Sequence, residues 1–269
     1  MSTRTAQAKH ILMCRPEFYT VCYRINPWMH PAKPTSTAKA INQWETLYRT
    51  YLDLGYSVEL IDPIDGLPDM VYAANGGLVI DGKALGARFR YKERSPEGPA
   101  YMTRLHELGF DVTPPIAFNE GEGDFLKVGD LILGGSGFRS AIASHHEVAD
   151  AFGKEVVTLE LINPNYYHLD TCLAVIDDTN IAYLPSAFSE TSLSILRQRF
   201  PEAIIASEED AAVFGLNLVS DGRRVVMAQQ ATGLANQLTA YGYEPIGVDV
   251  SELNLGGGGI KCCTLELRH

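Results

Sequence analysis

The 269-residue chain lacks several things at once. No stretch approaches the roughly 20 consecutive apolar residues that a membrane-crossing helix needs, so a membrane partner is excluded. The opening MSTRTAQAKHILMCRP contains no long apolar region followed by a cleavage site, and the expected compartment is the cytoplasm. Basic residues are scarce: 22 Lys and Arg stand against 33 Asp and Glu, a formal net charge of −11. A surface that tracks phosphates needs clustered Lys and Arg to displace counterions, so nucleic acid is excluded as well. Cysteine is sparse and odd in number. Cys14, Cys22, Cys172, Cys262 and Cys263 include no C-x-x-C pair and no zinc spacing, which argues for reduced thiols and against a structural metal. With 46% hydrophobic residues the chain can bury a sizeable core, and the expected partner is a small molecule. Whether copies of the chain assemble into a homo-oligomer is left open.

A concealed repeat is present. Four hairpin signals, GGLVIDGKALGARF, DFLKVGDLILGG, LAVIDDTNIAYL and NLVSDGRRVVMA, have turns centred on Gly82, Asp130, Asp178 and Gly222, spaced 48, 48 and 44 residues apart. Each is followed by an amphipathic helical stretch and another short apolar run, giving strand, strand, helix, strand. The first helix carries Met102, Leu105 and Leu108 on one face, with Gly109 beyond its end. The N-terminal region supplies a run KHILMCRP, a helix over TAKAINQWETLYRTYLDLG with Thr37 as N-cap, and a run YSVELID; it is one strand short. The C-terminal CCTLEL is a strand with nothing after it. Pairing it beside residues 9–15 makes a fifth unit from the two chain ends. The expected fold is therefore a single α/β domain over residues 1–269, five ββαβ units about a central axis, closed by the terminal strands.

In such a ring the boundaries of loops and strands border one shared cavity. LPDMVYAAN (67–75), NEGEGDFL (119–126), YYHLDTCL (166–173) and GGGGIKCCTL (256–265) occupy corresponding ends of the repeats and offer a thiol, an imidazole and several carboxylates. That set suits thiolate attack on a planar, cationic carbon such as a guanidinium. Carboxylates accept the N–H donors of the cation, a thiolate adds to its carbon, and one histidine protonates the departing amine and later activates water. Adjacent cysteines on a strand are awkward tetrahedral ligands, which weighs against a metal site built from Cys262, Cys263 and His168.

The sequence resembles the guanidine-modifying enzymes of the pentein fold, which include dimethylargininases, arginine deiminases, amidinotransferases and arginine dihydrolases. The resemblance rests on INPWM (25–29), LPDMVYAAN, EGEGD, YYHLD and GGGGIKCC, in that order. It implies a cofactor-independent hydrolase of an arginine-type substrate. Carried over residue by residue, it implies Cys262 as nucleophile, His168 as general acid and base, and Asp170, two residues away on a strand, as a carboxylate that grips the guanidinium. It implies Glu120 as the orienting carboxylate with Asp124 behind it, although one extra residue in NEGEGD leaves Glu122 as the alternative. Arg94 and Arg139 match arginines that hold the substrate carboxylate, and Asp69 would meet its α-amino or guanidinium end. His106, His145 and His146 fall on helical, solvated faces and receive no role.

One departure bears on the substrate. Typical dimethylargininases have two acidic residues where this chain has Ala74 and Asn75. Asn75 can accept from a guanidinium N–H or donate to the oxygen of a ureido product, which suits an arginine dihydrolase, while a small Ala74 makes room for N-methyl groups. The expected reaction is hydrolysis of dimethylarginine to citrulline and dimethylamine through a covalent thiouronium intermediate, with arginine dihydrolase or arginine deiminase as the alternative.

Overall fold

The computed structural model describes residues 4–269, and its elements follow the repeat. Strand β1 (His10–Cys14), helix α1 (Thr37–Asp53) and strand β2 (Ser57–Ile61) come first. The first full unit is β3 (Gly77–Ile80), β4 (Lys83–Gly86), α2 (Glu97–Glu107) and β5 (Asp111–Thr113). The second is β6 (Phe125–Val128), β7 (Leu131–Ser136), α3 (Ile142–Phe152) and β8 (Val156–Glu160). The third is β9 (Leu173–Val175), β10 (Ile181–Tyr183), α4 (Glu190–Arg199) and β11 (Ile204–Ile205). A one-turn helix α5 (Glu208–Ala211), absent from the sequence-based expectation, leads to the fourth: β12 (Val219–Ser220), β13 (Arg224–Ala228), α6 (Thr232–Ala240) and β14 (Glu244–Val248). β15 (Leu265–Glu266) ends the chain.

These strands form five separate three-stranded sheets. In four of them an antiparallel hairpin is extended by a parallel strand after the helix. The fifth joins the chain ends: β15 runs antiparallel to β1, with Leu12 opposite Leu265, and β2 runs parallel to β1 on its other side. Contacts between neighbours pass from β15 to β3, from β6 to β9, from β9 to β12 and from β14 back to α1.

Local chemistry accounts for the units. The first hairpin turns on Asp81 and Gly82, both with positive φ (52° and 76°), the geometry an Asp-Gly pair supplies for a two-residue hairpin loop. Its strands alternate: Leu78, Ile80 and Leu85 pack toward Phe125 and Ile132 of the next unit, while Val79 and Ala84 pack under Tyr101 and Leu105 of α2. Every unit is thus apolar on both faces, between its own helix and its neighbours.

Three local expectations need correction. The N-cap of α1 is Ser36, whose hydroxyl accepts from the Lys39 amide at 3.2 Å, rather than Thr37. His145 is buried rather than solvated, because it shares a helix face with Val148; its Nδ1 lies 2.8 Å from Thr158 Oγ1. His106 and His146 are exposed. The C-terminal strand is short, so Cys262 and Cys263 precede it in a turn and do not occupy opposite faces of a strand. No helix among the described residues is long and apolar enough to cross a membrane.

Candidate active site

Short 3-10 turns deliver the candidate side chains. The turns Pro68–Val71 and Ala73–Gly76, ahead of β3, carry Asp69 and Asn75; the turn Gly121–Gly123, ahead of β6, follows Glu120. The turn Leu169–Thr171, ahead of β9, follows His168 and contains Asp170, so these two lie on a turn and not on one face of a strand. Cys262 precedes β15. Because each turn enters the first strand of a sheet, four of the five units aim these residues at one place. Cys262, His168, Glu120, Asp69, Asn75, Arg94, Arg139 and Asp170 are all buried, none more than 3% exposed.

The thiol has two partners. Cys262 Sγ lies 3.2 Å from Asp170 Oδ2, to which the thiol donates, and 3.1 Å from Asn217 Nδ2, which donates to the sulfur. Burial pushes the Cys262 thiol well above its ordinary range, and the nearby Asp170 carboxylate adds to the shift. Burial also lifts Asp170 to about 6, against the charges of His168 and Lys261. Asp170 Oδ1 is buried without any hydrogen-bond partner among the described residues. A buried carboxylate oxygen left bare is costly, and an N–H donor of a bound cation is the partner that offsets it.

Glu120 links the imidazole to an arginine. His168 Nε2 lies 2.7 Å from Glu120 Oε2, which also accepts from Arg139 Nη1 at 2.8 Å. Burial is the largest influence on Glu120 and works to raise its pKa. The charge of Arg139 and the contact with His168 together outweigh it and hold the carboxyl well below the usual range. Glu120 is therefore ionised beside His168. Arg139 lies between the rings of Tyr91 and Tyr167, 4.6 and 4.5 Å from their centroids, and its Nη2 donates to Ile25 O. That carbonyl belongs to the INPWM segment, whose Asn26 donates to Gly256 O and Tyr167 Oη, so the segment straps the site to the glycine run.

Glu122 points elsewhere. Its carboxylate takes Lys261 Nζ at 2.6 Å, the Glu266 amide at 2.9 Å and the Arg268 guanidinium, all on the ring-closing segment. Asp124 accepts from Ser140 Oγ at 2.6 Å and from the Leu169 amide at 3.2 Å, tying the turn of the third unit to the second.

Arg94 is heavily engaged. Nε and Nη2 clasp Glu97, Nη2 also donates to Asp69 O, and Nη1 donates to Asn75 Oδ1 at 2.8 Å. Four of its N–H donors thus already have protein partners. The consequence falls on Asn75: with Oδ1 accepting from Arg94, its Nδ2 donates to the Glu120 backbone carbonyl at 3.3 Å. Asp69, raised by burial against the pull of Arg94, accepts from Tyr23 Oη at 2.8 Å.

Sequence reasoning passed over Asn217. It precedes β12 by two residues, as Asn75 precedes β3 and Thr171 precedes β9, so its place in the fourth repeat was the available signal. Among the described residues no group of three His, Cys, Asp or Glu could hold a metal ion.

Comparison with known proteins shows what the chain as a whole is similar to. Residues 26–269 match the family model described as N,N dimethylarginine dimethylhydrolase, eukaryotic. The chain is 50% identical over 98% of its length, and 87% of the relative's, to N(G),N(G)-dimethylarginine dimethylaminohydrolase of Mycobacterium tuberculosis. It is 36% identical over 96% of its length to the bifunctional arginine dihydrolase/ornithine cyclodeaminase of Synechocystis, of which it covers 37%. The solved N-terminal domain of the arginine dihydrolase ArgZ, covalently bound to a reaction intermediate, superposes with a TM-score of 0.93 at 35% identity, covering 97% of this chain and 98% of that one.

Proposed function

The chain belongs to the N,N-dimethylarginine dimethylhydrolase family, and from that premise we propose that it hydrolyses a guanidinium C–N bond of an arginine-type substrate, taking dimethylarginine to citrulline and dimethylamine. The observation that carries the reading is the Cys262–Asp170 pair: a thiol 3.2 Å from a buried carboxylate whose other oxygen has no partner. A guanidinium paired with Asp170 brings its central carbon against the sulfur.

The steps use the residues in hand. The Cys262 thiolate adds to the guanidinium carbon. His168, held by ionised Glu120, gives a proton to the nitrogen that departs as dimethylamine, leaving an S-alkylthiouronium on Cys262. Water then attacks the same carbon and passes a proton to His168, and collapse expels the thiolate and releases citrulline. Glu120 steadies the imidazolium that gives the first proton and the imidazolium that re-forms when water is deprotonated, as a carboxylate partner does for a catalytic histidine. Arg139, with donors left over after Glu120 and Ile25, meets the substrate carboxylate. Arg94 acts on the same end and fixes Asn75, and Asp69 takes the α-amino group. Residues 1–269 act as one domain in this reading.

A second reading has its own support. The Asn75 acceptor is engaged by Arg94, while its Nδ2 carries a second N–H beyond the one given to the Glu120 carbonyl, and a donor matches the oxygen of a ureido group better than the N–H groups of a guanidinium. That favours a second hydrolysis, from arginine through citrulline to ornithine, and the Synechocystis relative is an arginine dihydrolase by name. The test is to incubate purified protein separately with dimethylarginine, arginine and citrulline and to quantify dimethylamine, citrulline, ornithine and ammonia. Dimethylamine with citrulline supports the first reading. Ornithine from arginine or citrulline without dimethylamine moves the assignment to the second. No turnover of any of the three, or full activity in Cys262→Ser, ends both.

A further inference from the structure

We propose that Asn217 is the thiolate-stabilising residue of this site: its side-chain amide holds the Cys262 sulfur as an anion once a cationic substrate has drawn Asp170 away. The inference rests on the hydrolase reading given above and adds to it a residue for which neither composition nor motif had suggested a role.

The amide is fixed at three points. Its Oδ1 accepts from the Cys262 backbone N–H at 3.0 Å, and its Nδ2 donates to Asp170 O at 3.0 Å and to Cys262 Sγ at 3.1 Å. The Cys262 amide can only donate and the Asp170 carbonyl can only accept, so the orientation of Asn217 is not interchangeable. One N–H must face the sulfur. Asn217 is itself fully buried, and so is the hydrogen bond.

The sulfur therefore sits between two groups with opposite preferences. Asp170 Oδ2 accepts the S–H and favours the thiol, whereas Asn217 Nδ2 can only donate and favours the thiolate. In the free site the first preference wins, as the raised thiol pKa reflects. A guanidinium that pairs with Asp170 cancels its negative charge and competes for its oxygens. The S–H bond then ionises, its proton leaving for water, and the electron pair left on sulfur has Asn217 as its remaining donor. Activation of the nucleophile is in this way tied to arrival of the cation.

The surrounding chain is shaped around the contact. A Cβ on Gly259 would lie 3.0 Å from Asn217 Oδ1 and 3.4 Å from Asn254 Nδ2, closer than ordinary packing, so the last glycine of the run lets the backbone close on this amide. Asn217 also supplies the contribution of the fourth unit, the only one from which the sequence offered no candidate.

The test reads the thiol directly. The rate of alkylation of Cys262 by iodoacetamide, located by tandem mass spectrometry, is followed from about pH 6 to pH 11 in wild type, Asn217→Asp and Asn217→Ser, alongside thermal melting. Loss of a hydrogen bond to a charged group corresponds to about one to two pKa units. The expected result is an upward shift of that size in the midpoint for Asn217→Ser and a larger one for Asn217→Asp, which adds a charge. With substrate, kcat near neutral pH falls about tenfold or more while KM changes little, and the deficit shrinks as pH rises. Midpoints that coincide with wild type in folded variants overturn the proposal. So does failure of both variants to melt cooperatively, which would mark Asn217 as a purely structural residue. Because alkylation needs no substrate, inactivity of the wild type toward guanidines would sink the hydrolase reading while leaving the Asn217–thiol result readable.

Discussion

His168 Nε2 and Glu120 Oε2 lie 2.7 Å apart with both side chains buried, and Arg139 closes on the same carboxylate oxygen. Glu122, two residues on, faces Lys261 and Arg268 instead. The two glutamates should therefore fail differently. Glu120→Gln leaves His168 without an anionic partner and is expected to lower kcat by about 10²- to 10⁴-fold, the usual worth of general acid–base catalysis. Glu122→Gln leaves buried Lys261 without its carboxylate and Arg268 with Glu266 alone, and is expected to cost about 3–5 kcal/mol of stability while the folded fraction keeps most of its kcat. Steady-state kinetics and urea unfolding on both variants separate them. The assignment fails if Glu122→Gln loses turnover and Glu120→Gln does not.

The division between these glutamates shows where sequence reading stops. The five three-stranded units were legible because turns containing Asp recur at a near-constant spacing, and because the strand-poor N-terminus and the helix-free C-terminus complement each other, as the Leu12–Leu265 pairing shows. The extra residue in NEGEGD left Glu120 and Glu122 unresolved, since the choice depends on how a 3-10 turn bends and on partners far away in sequence. His168 and Asp170 were read as strand neighbours for the same reason: three-residue turns leave no periodic signal. Asn217 went unnoticed because Asn carries no motif of its own. Its meaning lies in the Cys262 and Asp170 atoms that it touches across the ring.

Asp170 should trade stability for function in a pH-dependent way. Burial raises its folded pKa to about 6 from an ordinary 3.8, so the folded state binds a proton more tightly than the unfolded state. Its share of stability is complete below the unfolded value and is lost as pH rises through about 6. The full difference is about 3 kcal/mol by linkage. Asp170→Asn removes this dependence. Urea unfolding of wild type and variant is expected to show the variant gaining stability relative to wild type between about pH 4 and pH 7, together with loss of turnover. In wild type, kcat/KM for a cationic substrate should rise with pH through about 6 as Asp170 ionises. A stability difference that stays flat over this window would refute the assignment.

Gly257 is a backbone requirement of the strap over the site. Its φ is +91°, and a Cβ there would sit 2.6 Å from Asn26 Nδ2 and 2.7 Å from Tyr167 Oη. Gly257→Ala therefore combines left-handed strain with a clash against the residues that hold the INPWM segment down. The expected loss is about 2–4 kcal/mol in denaturant unfolding, with a rise in KM because the strap also supplies the carbonyl bound by Arg139. Wild-type stability in this variant would show that the segment is not seated as described.

The two adjacent thiols should prove unequal. Cys262 Sγ meets Asp170 and Asn217, whereas Cys263 is packed in the apolar cluster with Ile11, Met13, Trp44 and Val248. Burial pushes both thiols up, but Asn217 Nδ2 donates to the Cys262 sulfur, whereas Cys263 Sγ has no hydrogen-bond donor among the described residues to hold it as a thiolate. Cys262→Ser is expected to lower kcat on the order of 10³-fold or more, since a hydroxyl in the same place is a far weaker nucleophile. Cys263→Ser buries a hydroxyl among apolar side chains and is expected to cost about 1–3 kcal/mol of stability while kcat stays within about threefold. The cleanest readout is single-turnover trapping: acid quench during turnover followed by mass spectrometry should find the covalent adduct on Cys262 in wild type and in Cys263→Ser, and none in Cys262→Ser. An adduct on Cys263, or equal loss of kcat in the two serine variants, would move the nucleophile to the neighbouring residue and break the link between Asp170 and the reacting sulfur.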